Sequence, residues 1–374
     1  MKQALVVLSS LLVLLFLSVS CKKGEQQPAA KDKDVASKTK DLVKKEGAIK
    51  IGLSFSDFET ERWPVEQALI TKLAAAQGAQ VVSQVANHDA KLQNDQIENM
   101  VLQGVSVIII VAEDGAAAAT AVDEAARAGV KAIAYDRLIK SPSLAAYISF
   151  DNVAVGRAQA RGVLKIVDKG NFVLLGGSPT DNNAVLFRNG QMEVLKPLID
   201  KGQIKVVADQ WVENWSPPNA TKLMENILTA QHNQVNAVVA SNDGTALGAL
   251  QALKAQGLAG KVPISGQDAT AAGCNSIVKG ELTVTVYKDV RLLSPLAIDM
   301  AIKLAKGEPI EDLKRHDLSA LTLEKNLKGQ VPCKFLPVVE VDKSNVYDQI
   351  VKSGFQKYDD VYRDIPDAQK PPKI

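Results

Sequence analysis

The 374-residue chain has little of what metal sites and reactive centres are built from: its three histidines (His88, His232, His316) and three cysteines (Cys21, Cys274, Cys333) are scattered along it. No CxxC, HExxH or Cys/His cluster with zinc-ligand spacing occurs, which excludes a structural zinc site. Charge of one sign is not in excess either. The 44 Lys and Arg stand against 42 Asp and Glu, and a net charge of +2 creates no field that would draw the chain to nucleic acid. A Gly-x-Ser-x-Gly elbow, a phosphate-binding loop and a GxGxxG fingerprint are also missing, and no cofactor is implied. What is present is apolar substance: 46% hydrophobic and 23% charged residues over this length suffice for two ordinary domains with full cores.

Residues 4–17 form an apolar run too short to span a membrane but suited to the core of an export signal. Ser18, Val19 and Ser20 directly before Cys21 resemble a lipoprotein signal, with serine where leucine is usual. Residues 1–21 are therefore expected to be removed or anchored, with Cys21 acylated; the alternative is an ordinary cleaved signal with a free cysteine nearby. Residues 22–47 are rich in Lys, Asp, Gln and Ala and bury too little to fold, which predicts a flexible charged tether holding a folded domain outside the cytoplasmic membrane.

Beyond Gly47, short β-branched runs alternate with amphipathic stretches, the pattern of βαβ units around parallel sheets. Strands are expected at 49–55, 80–85, 107–111, 131–135, 147–149, 171–175, 204–210, 237–240, 263–265, 282–287 and 337–341. About eleven strands are too many for one strongly twisted sheet, so the α/β fold is expected to split into two doubly wound, Rossmann-like lobes. The break falls after Phe150-Asp151-Asn152.

In an open α/β sheet, ligands sit beyond the carboxyl ends of the strands. Polar residues concentrate there: Asp57 and Glu61-Arg62-Trp63, Asp136-Arg137, Asp181-Asn182-Asn183, Trp215, Asn242-Asp243, Gln267-Asp268 and Lys288-Asp289. Helix capping alone accounts for Asn182, Asp243 or Asp268 taken singly. It does not account for Arg62, Arg137, Lys288 or the indoles of Trp63 and Trp215; Trp211, at a strand end, reads as core. Planar charged and amide groups with flat aromatic surfaces suit the hydroxyls and C–H faces of a sugar.

These residues lie in blocks that resemble a known family: ERW at 61–63, QIENM at 96–100, AYDR at 134–137, YISFDN at 147–152, LGGSPTDNNA at 175–184, AVVASND at 237–243, ISGQDA at 264–269 and TVTVYK at 283–288. The family is that of the sugar receptors of ABC transporters, with the type I periplasmic binding protein fold, and the likeness is greatest to its D-xylose-binding branch. The resemblance implies two lobes joined by a three-crossover hinge, lobe one at 48–152 plus 290–333 and lobe two at 153–289 plus 334–358, with 359–374 as a tail. It implies a monosaccharide in the cleft, D-xylose or another aldose such as glucose, ribose or arabinose, and delivery to membrane permease subunits by a monomer. Implied ligand contacts are Arg62, Asp136, Arg137, Asn183, Arg188, Asn242, Asp268 and Lys288, with Trp63 and Trp215 sandwiching the ring.

Two other classes stay open. A glycoside hydrolase would use Asp136 and Asp268 as its carboxylate pair, although both have cationic or amide neighbours that favour the ionised form. A sugar-responsive transcription regulator would need a helix-turn-helix where this chain has the signal and tether. Finally, in an oxidising compartment Cys274 and Cys333 are expected either to pair as a disulfide or to pack as separate buried thiols.

Overall fold

The computed structural model describes residues 48–373. The expected signal 1–21, Cys21 and the tether 22–47 lie outside the described residues. Within 48–373 the chain builds β1 (Lys50–Phe55), α1 (Arg62–Ala76), β2 (Gln80–Val85), α2 (Ala90–Leu102), β3 (Val107–Ile110), α3 (Ala118–Arg127), β4 (Lys131–Tyr135) and β5 (Ala146–Phe150). There follow α4 (Asn152–Leu164), β6 (Gly170–Gly176), α5 (Asn182–Asp200), β7 (Ile204–Trp211), α6 (Pro217–Ala230), β8 (Ala237–Ala240), α7 (Asp243–Ala255), β9 (Ile264–Gln267), α8 (Ala271–Lys279) and β10 (Val284–Tyr287). The last part is α9 (Val290–Lys306), β11 (Lys314–Asp317), α10 (Leu318–Thr322), β12 (Gln330–Leu336), β13 (Val339–Asp342) and α11 (Tyr358–Val361).

The strands form two sheets, one of seven in the order β11-β12-β5-β4-β3-β1-β2 and one of six in the order β13-β10-β9-β8-β6-β7. Neighbours run parallel except β11 with β12 and β10 with β13, each antiparallel at an outer edge. The central strands are Val/Ile/Leu/Ala-rich and buried along their whole length, as in β3 (VIII) and β8 (AVVA), because helices cover both sheet faces. In lobe one, Ile51, Leu53 and Phe55 pack with Leu293, Ala297 and Ile298 of α9 on one face, while Ile108 and Ile110 pack with Ile97 and Val122 on the other. The strand order around β2-β1-β3 and again around β7-β6-β8 reverses direction, which opens a crevice at the carboxyl ends in each lobe. The chain passes between lobes after β5, after β10 and after β12.

The third passage differs from the expectation. Residues 334–336 do not belong to lobe two: Lys334, Phe335 and Leu336 pair with Ile148, Ser149 and Phe150 of β5. Strand β12 was not anticipated because Pro332 interrupts its pattern, and β11 because its sequence, KRHD, has no apolar residue. Residues 359–373 are no loose tail, since Val361, Tyr362 and Ile365 are buried against Val341 and Ile350, and the Asn275 amide donates to the carbonyls of Val361 (2.9 Å) and Arg363 (2.8 Å).

The disulfide does not form. Cys333 sits on β12 in the core of lobe one, where it pairs in register with Tyr147, while Cys274 lies on α8 in the core of lobe two; both are free and buried. Trp211 is also corrected: at the end of the edge strand β7 it is 37% exposed, with the Arg188 guanidinium 5.1 Å from its ring centre.

Candidate functional site

Both crevices face one small cavity between the lobes, lined by Thr60, Arg62, Trp63, Asp136, Arg137, Asp181, Asn183, Phe187, Trp215, Asn242, Gln267, Asp268 and Lys288. Nine of the ten residues expected from the sequence are brought together there; Arg188 is not among the lining residues. It turns toward Asp209, donates Nε–H to Gln191 Oε1 at 3.0 Å, and leaves Nη2 buried with no partner. Burial lowers its guanidinium to about 10.

Four charges alternate around the cavity. Arg62 Nη1 lies 3.0 Å from Asp136 and 3.6 Å from Asp268, and Lys288 Nζ lies 3.3 Å from Asp136 and 3.6 Å from Asp268. Arg62 and Asp136 come from lobe one, Asp268 and Lys288 from the carboxyl ends of β9 and β10 in lobe two. Two cations and two anions sum to zero, so the site offers strong donors and acceptors without a net charge to neutralise. Burial pushes the Asp136 carboxyl up, but Arg62, Lys288 and Arg137 outweigh it and hold it at about 2. It is a fixed acceptor, not a proton donor.

Supporting groups fix each side chain. Glu66 takes Nε–H and Nη2–H of Arg62 and is itself held by the Tyr135 hydroxyl, which also meets Ser294 Oγ of α9 at 2.9 Å; this leaves Nη1 for the cavity. Asn183 accepts from Asn152 Nδ2 (2.8 Å) and donates to Asp136 Oδ1 (3.1 Å), which fixes which end of its amide faces which neighbour. Asn242 is the N-cap of α7, its Oδ1 accepting from Thr245 N at 2.8 Å. Capping at the other two loops falls one or two residues away from the residues expected: Asp181 caps α5 and Thr270 caps α8. Asp268 is thus released from capping and sits at φ 94°, followed by Ala269 at φ 49°. Left-handed backbone costs a residue with a Cβ roughly 1–2 kcal/mol.

The two indoles are seated differently. Trp63 lies in the first turn of α1, packs on Phe55 and carries the Arg62 guanidinium 4.4 Å above its ring centre. Trp215 ends a 3-10 turn, Glu213–Trp215, and meets Phe187 edge-on at 6.2 Å. Its seat depends on Gly177, since a Cβ there would come within 1.9 Å of the indole. Both indole Nε1–H donors are buried without a protein acceptor, the Gln267 Oε1 acceptor is buried without a protein donor, and all three residues line the cavity. Phe187 and Thr60 escape a strand-end search: one is an apolar residue in the middle of a helix and the other a small residue in a long loop.

The lobes are closed over this cavity. Arg137 Nε meets Asp181 at 3.0 Å, Thr180 Oγ1 donates to the Glu113 carbonyl at 3.1 Å, and Asn182 Nδ2 donates to the Leu321 carbonyl at 2.8 Å, each joining lobe one to lobe two.

Relatives carry the same organisation. Residues 51–309 match the family model described as periplasmic binding protein domain. The chain is 49% identical over 310 residues to the D-xylose-binding periplasmic protein of Escherichia coli, covering 83% of this chain and 91% of that one. To the protein of the same name from Haemophilus influenzae it is 46% identical, covering 84% and 92%. Among solved structures, an ABC transporter solute binding protein from Clostridium phytofermentans with bound β-D-glucose superimposes with a TM-score of 0.74 at 30% identity, covering 83% and 99%. With two such lobes, a closed polar cleft and these relatives, the chain belongs to the periplasmic binding protein family.

Proposed function

We propose that this protein is an exported sugar receptor that closes its two lobes over one monosaccharide, D-xylose before other aldoses, and delivers it to the membrane subunits of an ABC transporter. The observation that carries the reading is the neutral ring of Arg62, Asp136, Lys288 and Asp268 around a small cavity with two unpartnered indole donors. Arg137, Asn183 and Asn242 complete the hydrogen-bonding wall, and Arg188 turns its unpartnered Nη2 toward the ligand when Asp209 releases it. The names of the relatives, two of them D-xylose-binding, support the choice of sugar. Attachment to the membrane through an acylated Cys21, and a monomeric state, belong to the same proposal.

The receptor reading is favoured over a glycoside hydrolase because a retaining or inverting mechanism needs a carboxylic acid that gives up a proton near neutral pH. Asp136, held at about 2, is unsuited to that role. Calorimetry against a panel of pentoses and hexoses tests the proposal: D-xylose binds in a one-to-one complex, and the absence of binding to every monosaccharide overturns it. Incubation with aryl xylosides should release no free sugar.

A further inference from the structure

Asp243 is a fully buried carboxylate that does not line the sugar cavity. A socket is built around it. Gly266 and Gly273 lack side chains where a Cβ would come within 2.1 Å of its Oδ1 and 2.3 Å of its Oδ2. Three hydrogen bonds reach it: Thr285 Oγ1–H at 2.7 Å, Thr270 N–H at 2.8 Å and Thr270 Oγ1–H at 3.1 Å. Burial pushes its carboxyl up to about 7, an effect that the threonine donors oppose.

The same two threonines bracket the strained turn of the sugar site. Thr285 Oγ1, which donates to Asp243, accepts from Ala269 N at 3.1 Å, and Thr270 caps α8 through Gly273 N at 3.0 Å. Between them lie Asp268 and Ala269, both in left-handed backbone. A turn of this kind relaxes unless its neighbours over-determine it.

We propose that Asp243 is the positioning residue for Asp268: its carboxylate, relayed through Thr285 and Thr270, locks the 268–269 turn and so aims the Asp268 carboxylate at Arg62, Lys288 and the sugar. The inference rests on the receptor reading for its effect on affinity, and on the geometry alone for its effect on the turn. The relay fixes the direction of every proton along it. The Ala269 amide can only donate, so Thr285 Oγ1 accepts from it with a lone pair and has its hydroxyl proton free to donate to the Asp243 carboxylate.

Removing Asp243 itself risks unfolding lobe two, so the test is made at Thr285. In Thr285→Val, which keeps shape and loses the relay, backbone ¹⁵N relaxation of the unliganded protein shows the Asp268, Ala269 and Thr270 amides becoming mobile, and calorimetric affinity for D-xylose falls about ten-fold. Thr285→Ser restores both. In an Asp268→Asn background, Thr285→Val has less than a two-fold further effect, because the relay acts through that carboxylate. Unchanged relaxation at the three amides overturns the inference whether or not the protein binds sugar. So does an equal affinity loss in both backgrounds, which marks a general defect of lobe two. If the wild type takes no D-xylose while the amides respond as stated, the sugar reading fails and the positioning role stands.

Discussion

Arg62 meets three carboxylates from three different elements: Glu66 one helical turn away, Asp136 after β4 and Asp268 after β9. Only the first is local in sequence, so the residue works as a cleft cation solely because the fold closes around it. The same holds for Asp268 and Arg137, whose charges are buried against partners across the cleft. Replacing either by alanine is expected to cost roughly 1.5–3 kcal/mol of D-xylose binding, about ten- to a hundred-fold, while thermal unfolding stays cooperative. Wild-type affinity in both variants would reduce these side chains to structural ion pairs. Asp136 gives a pH signature as well. Its carboxyl lies below its ordinary value of 3.8, at about 2, so its contribution to stability is complete above pH 4 and disappears as pH falls toward 2. The stability difference between wild type and Asp136→Asn, followed by chemical denaturation, should therefore be constant from pH 7 to about 5 and shrink between pH 4 and 2.

Elements were legible in the sequence where burial is two-sided. β3 and β8 announce themselves as unbroken apolar runs, and eleven of the thirteen strands come from such signals or from alternation. What escaped is the outer side of lobe one: β11 is an entirely polar edge strand, which needs one neighbour and no apolar run, and β12 beside it has its pattern interrupted by Pro332 and Lys334. That omission moved the third crossover three residues too early and left Cys333 at the border of lobe two, close enough on paper to pair with Cys274, whereas β12 holds it inside the sheet of lobe one. The cleft residues were legible for a different reason: charge and amide at strand ends have few uses other than caps and ligands, and arginine and tryptophan do not cap. The geometry of two threonines behind Asp268 was not, since threonines in or beside strands are ordinary. The corrected placement of the cysteines makes a measurable statement. Burial pushes the Cys333 thiol up to about 12 and raises that of Cys274 well above its usual range, so neither forms a reactive thiolate near neutral pH. Alkylation under native conditions should leave both untouched; alkylation after denaturation without reductant should label both, and a disulfide-linked peptide pair would contradict the placement.

At the scale of the whole molecule, five parallel strands in each lobe follow one order, and polar contacts join the lobes, as suits a hinged clamp that must open again. Closure and ligand binding are then linked, and the apparent affinity is the intrinsic affinity of the closed form reduced by the fraction of molecules that are closed. Two consequences follow from that linkage. Small-angle scattering should show a smaller radius of gyration when D-xylose saturates the protein, and the melting temperature should rise with sugar concentration. The sharper test uses a residue that touches the opposite lobe and does not line the cavity. Asn182 donates to the Leu321 carbonyl from the first turn of α5, and Asn182→Ala removes that bond while leaving Arg62, Asp136, Asp268 and Lys288 in place. A buried amide–carbonyl bond is worth about 1 kcal/mol, so D-xylose affinity should fall about five-fold, with the loss carried mainly by faster dissociation as the closed form opens more often. An unchanged dissociation rate in stopped-flow fluorescence, or a radius of gyration that does not respond to sugar in the wild type, would remove the hinge from the mechanism and leave a rigid pocket in its place.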